Sequence, residues 1–101
     1  MSNTSTSSVI NSQARAYDFL VRLTGSRPET LTWDSTHRLQ GHVHMAGHEL
    51  VVIATRDATH RPVVLTAPGW DEVRRSSNEQ RHDLIQSYAI TDRSGLVAAM
   101  R

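Results

Sequence analysis

The chain has 101 residues, room for one domain and not two, and its charges nearly balance, eleven arginines and no lysine against ten carboxylates. Lack of cysteine excludes disulfides, thiolate nucleophiles and thiolate zinc sites, and lack of lysine excludes Schiff-base catalysis and the lysine-containing phosphate loop. No apolar run reaches membrane-spanning length. The expected setting is therefore cytoplasmic, with no membrane partner. A basic complement made only of arginine fits the codon usage of a GC-rich prokaryotic or phage genome.

Met1 to Ser8 is almost all Ser, Thr and Asn and reads as a disordered tail, leaving residues 9–101 as a single α+β domain. From Val9 to Leu23 the spacing predicts a helix, with Ile10, Ala14, Tyr17 and Val21 as its apolar stripe and Ala16, Leu20 and Leu23 widening it. Ser7 or Ser8 can cap its start, and Thr24-Gly25 supplies a left-handed stop. Ser26 and Glu29 have capping-box spacing, but Thr30-Leu31-Thr32-Trp33 alternates as a strand does, and a short strand is the reading adopted.

Arg38 to Met45 alternates, Ala46-Gly47 suits a tight turn, and Leu50 to Ala54 is apolar on both faces as in a central strand. Asp57 to His60 makes a second turn and Val63 to Thr66 a further strand, stopped by Ala67-Pro68-Gly69. The expected fold is α+β: an antiparallel meander of three to four strands packed on the N-terminal helix. A helical segment follows, Trp70 to Arg75 and a second helix from Ser76 that turns Leu84, Ile85 and Tyr88 inward. The chain ends in a hairpin over Tyr88 to Met100 with Asp92 to Gly95 at its tip, or in a short helix from Leu96.

A two-residue turn at Ala46-Gly47 sets Met45 opposite His48, His44 opposite Glu49 and His42 opposite Val51. A four-residue loop at Asp57 to His60 sets Arg56 opposite Arg61, Ile53 opposite Val64 and Val52 opposite Leu65. Leu39, Val43, Met45, Leu50, Val52, Ala54, Val63 and Leu65 then form the core face. On the other face Val51, Ile53 and Val64 form an apolar centre, rimmed by Arg38, Gln40, His42 and His44. Such a face suits a protein partner, or it is covered by the C-terminal part of the same chain.

His42, His44 and Glu49 share that face, so two imidazoles and a carboxylate are the candidate metal ligands, although alternate residues of any strand face one way. Folding is expected to need neither metal nor cofactor. The nearest approach to a nucleic-acid surface is Arg74, Arg75 and Arg81, interleaved with Asp71, Glu72, Glu79 and Asp83, which argues against a polyanionic partner. No nucleophile elbow, zinc-protease helix or glycine-rich phosphate cradle is present. The leading expectation is a small non-enzymatic regulator or inhibitor that binds another protein, with homodimerisation as one form of that contact. By size and lack of motifs alone it is analogous to phage inhibitors of the anti-CRISPR type. The alternatives are a small metal-dependent or acid–base enzyme centred on His42, His44 and Glu49, and a nucleic-acid module using Arg74, Arg75 and Arg81.

Overall fold

The computed structural model describes residues 4–57 and 59–100, with side chains described from residue 9 onward. Its elements are α1 (Thr4–Thr24), β1 (Thr30–Trp33), β2 (Gln40–Met45), β3 (His48–Ile53), β4 (Val63–Thr66), α2 (Ala67–Arg75), α3 (Asn78–Tyr88) and α4 (Arg93–Ala99). The four strands form an antiparallel meander in the order β1-β2-β3-β4, as the alternating segments and tight turns require. The fold is α+β with the N-terminal helix first, as the pattern predicts.

The first hairpin register is the expected one. Met45 faces His48, His44 faces Glu49 and His42 faces Val51. The connection is a two-residue turn with positive φ at both Ala46 (52°) and Gly47 (76°), the backbone twist that two-residue hairpins favour. The β3–β4 register differs from expectation by one residue. Ile53 faces Val63 and Val52 faces Val64, so Val64 joins the α1 side of the sheet while Val63 and Leu65 turn to the other. Val63-Val64-Leu65 is apolar at every position, so hydrophobic pattern could not choose between the two registers. In the connection between the two strands, the Thr55 hydroxyl donates to the carbonyls of Asp57 (3.2 Å) and His60 (3.0 Å). Residue 58, within the expected turn, lies outside the described residues.

The core lies between α1 and the face carrying Val43, Met45, Leu50, Val52 and Val64, with Ile90 and Leu96 closing one end. The buried side of α1 is Ser12, Ala16, Leu20 and Leu23. Of the expected stripe, the widening residues Ala16, Leu20 and Leu23 are thus buried, whereas Ile10 is 58 % exposed, Ala14 is exposed, and Tyr17 and Val21 are half-buried. At about 100° per residue the buried side is centred roughly 135° around the helix from the line of Ile10, Ala14, Tyr17 and Val21. Small Ser12 and Ala16 let the backbone approach the sheet, and Leu20 fills the space beyond. The helix also begins at Thr4, so of the tail expected over Met1 to Ser8 only residues 1–3 fall outside the described structure. It stops at Gly25, φ 75°, whose N–H donates to the Val21 carbonyl at 2.8 Å.

The second face is half covered. The chain leaves β4 directly into α2, where the Thr66 hydroxyl accepts the Gly69 N–H at 3.1 Å and Pro68 occupies the first turn. The residues expected only to stop the strand thus also start a helix. α2 packs on β3 and β4, and α3 on α2 and β4. Val51, Leu65 and Val73 are buried on this side, outside the α1 cluster. Leu84 and Ile85 of α3 are half-buried, and Tyr88, expected inward, is 41 % exposed. The C-terminal hairpin is not formed. Only Ile90 bridges back, its N–H donating to the Val64 carbonyl at 2.8 Å, and residues 93–99 are helical. The Asp92 carboxylate accepts the Gly95 N–H at 2.7 Å, a cap that turns the expected hairpin tip into a helix start.

Candidate functional site

The uncovered half of the second sheet face lies over β1 and β2, where α2 and α3 do not reach. Thr30, Thr32, His42, His44 and Glu49 are exposed there, and Gln40 is half-buried. The facing pairs Thr30–His44 and Thr32–His42 bring their side chains into one surface. Together with Leu50, Val51 and Ala67 they line a depression of about 200 Å³ beside the start of α2. The exposed part of its lining is polar, and Val43, Leu50 and Val51, which also border it, are buried.

Within the rim, the His44 ring sits between two carboxylates, Nδ1 at 4.0 Å from Glu29 Oε2 and Nε2 at 3.9 Å from Glu49 Oε1. Those separations exceed hydrogen-bond length, so both contacts are loose and solvent-screened. His42 is 3.4 Å from the Gln40 amide. Glu29 is held from behind, accepting the Ala46 N–H at 3.2 Å. His42, His44 and Glu49 therefore share a face as the register requires, but among the described residues no group of three His, Cys, Asp or Glu side chains is placed to hold a metal ion.

The apolar centre expected on this face does not form. Val51 is 2 % exposed, and Val64 is fully buried on the opposite, α1 side because of the one-residue shift. Ile53 is half-buried between Gln40 and Val63. Arg38 lies in the turn before β2 rather than on the strand; it is exposed, and its carbonyl accepts the Gln13 amide at 2.7 Å. Gln40, His42 and His44 are the expected partner-facing residues that the structure gathers on the open surface.

The arginine group Arg74, Arg75 and Arg81 does not form a free cationic patch. Arg74 pairs with Asp71 at 3.2 Å, and Arg81 is half-buried against the C-terminal end of α2, its Nη2 at 3.5 Å from the Ser76 carbonyl. A cation at a helix C-terminus offsets the end of the helix dipole, a structural role.

A larger concavity, about 710 Å³, opens elsewhere, between α1, the segment 59–62 and the residues leading into α4. Arg15, Arg22, Arg61 and Arg93 line it. None of these was singled out from sequence. Arg15 and Arg22 are seven apart and so share a helix face, the one available signal, but Arg61 and Arg93 reach the same place only through the fold.

Fold and surfaces together define a small α+β domain whose antiparallel sheet is covered by helix on one face and half covered on the other. No protein-family model, no curated protein and no solved structure matches the chain. No helix among the described residues is long and apolar enough to cross a membrane.

Proposed function

We propose that this chain is a small non-enzymatic regulator or inhibitor, of prokaryotic or phage origin and acting in the cytoplasm, that binds another protein through the uncovered half of its sheet. One observation carries the reading. α2 packs on β3 and β4, leaving over β1 and β2 a polar sheet surface around a depression of about 200 Å³, large enough for one partner side chain. A desolvated apolar anchor ringed by hydrogen-bonding groups is the arrangement that concentrates binding energy in protein interfaces. The partner chemistry it fits is an aliphatic or aromatic anchor flanked by hydrogen-bonding groups that meet Thr32, Gln40, His42 and His44.

The test compares proteins retained from a bacterial lysate by the wild-type chain, by a Thr32→Glu, His42→Glu variant and by an Arg74→Glu control on α2. All three should fold, because each altered side chain is exposed. The reading expects a discrete protein, or a second copy of this chain detected by light scattering, to be held by the wild type and the control but not by the open-face variant. Equal retention by all three, or no specific retention by the wild type, refutes it.

A further inference from the structure

The arginine-lined concavity carries an inference independent of the sheet surface. Four arginines line it from three segments, Arg15 and Arg22 from α1, Arg61 from the segment after β3, and Arg93 from the start of α4. Two carboxylates, Asp18 and Asp92, share the walls, and Asp92 Oδ1 is committed to the Gly95 N–H. Among the described residues none of the four arginines lies within ion-pair distance of a carboxylate; the one arginine ion pair is Arg74 with Asp71, on α2. Cations that outnumber carboxylates four to two on a concave surface raise the local concentration of anions.

Two of the four are held in place by the backbone. Arg15 Nη2 donates to the Thr55 carbonyl at 2.8 Å and lies 3.3 Å from the Ser12 hydroxyl. Arg93 Nε donates to the Leu23 carbonyl at 3.4 Å, and its Nη2 lies 2.9 Å from where a Cβ on Gly25 would stand. Each fixed guanidinium keeps further N–H groups for a ligand, and the planar fork matches phosphate oxygens two at a time. Arg22 and Arg61 are exposed and free to close over a bound group. At one side His60 is oriented by its Nδ1 contact with Asp57 Oδ2 at 2.9 Å, which leaves Nε2 for the ligand.

Phe19, Leu23 and Pro62 give the lining an apolar part, and Thr59 and Thr91 complete it. The volume, about 710 Å³, lies within the span of small-molecule sites. An inorganic anion would leave the apolar part unused, and an apolar ligand would leave the arginines unanswered. We propose that this cleft binds a nucleoside diphosphate or a phosphorylated small molecule of similar size, its phosphates on the arginines and its ring system against Phe19.

The test is titration of the full chain with ADP, GDP, inorganic pyrophosphate and adenosine, followed by isothermal calorimetry and amide NMR. A nucleoside diphosphate should bind saturably at one site, with shifts confined to α1, residues 59–62 and residues 91–93. Adenosine should bind at least about tenfold more weakly, since charge-assisted hydrogen bonds are lost. An Arg22→Gln, Arg61→Gln variant keeps the aliphatic stems and disturbs no intrachain bond; it should weaken nucleotide binding by at least about tenfold with an unchanged melt. Arg74→Gln should change nothing. Absence of saturable binding at millimolar nucleotide, equal binding by the double variant, or equal loss in Arg74→Gln overturns the proposal. A glutamate-rich peptide that binds where the nucleotides do not also overturns it.

Discussion

Replacing Leu20 by Ala should cost far more than replacing Ile10 by Ala, although both are large aliphatic residues on the same helix. Leu20 is fully buried in the cluster with Val52 and Val64, whereas Ile10 is 58 % exposed. Truncating a buried Leu removes its transfer free energy and leaves a cavity, about 3 kcal/mol in sum within a usual range of about 2–5. For a domain of this size that shift corresponds to a fall in melting temperature of roughly 12–24 °C. Ile10→Ala deletes exposed surface and replaces a β-branched residue with the best helix former, so its effect should lie within about 0.5 kcal/mol of zero. Chemical denaturation followed by circular dichroism measures both, with equal slopes required so that midpoints report stability alone. A Leu20→Ala variant that melts like the wild type, or an Ile10→Ala variant that falls equally far, would show that α1 presents its other side to the sheet.

Two further outcomes follow from the loops. The Ala46→Asn variant should be more stable by roughly 0.5–1 kcal/mol, because Ala at φ 52° carries a left-handed penalty that Asn tolerates better; a lower urea midpoint contradicts the turn geometry. The Asp57 carboxyl is held below the usual aspartate range by the Thr59 N–H first, then the Thr59 hydroxyl and His60. A depressed folded value means that its stabilisation is complete above the ordinary aspartate value and disappears as pH falls through the folded one. The stability gap between wild type and Asp57→Asn, measured by urea melts, should therefore close as pH drops through the acid range. A gap constant with pH refutes the linkage.

Local chemistry was legible where one residue type had one way to satisfy the backbone. Ala46-Gly47 fixed the first hairpin, Gly25 ended α1, and Thr30 to Trp33 paired as a strand. Pattern failed where apolar residues offered two equivalent answers. Val63, Val64 and Leu65 can face either way, because the β3–β4 half of the sheet has helix on both sides and rewards burial on either. A related ambiguity misplaced the centre of the buried side of α1: Ala16, Leu20 and Leu23 read as the flank of the stripe, since Ile10, Tyr17 and Val21 outweigh Ser12 and Ala16 in any hydropathy count. What selects the latter is shape: small side chains permit the close approach that brings Leu20 to the sheet. Asp92 illustrates the reverse, a residue read as turn chemistry that is instead a helix cap.

These ambiguities determined which part of the candidate site could be foreseen. The polar half, Gln40, His42 and His44, follows from the one hairpin whose register the turn dictates. The apolar half depended on β4, and a shift of one residue moved Val64 to the opposite layer while α2 closed over Val51. The arginine cleft was beyond reach for a different reason. Its four cations come from positions 15, 22, 61 and 93, and their convergence needs the Arg15–Thr55 and Arg93–Leu23 bonds that tie α1 to the segment after β3 and to α4. An even charge balance along the chain is thus compatible with a concavity where arginines outnumber carboxylates, because periodicity reports neighbours within an element and is silent about which elements meet.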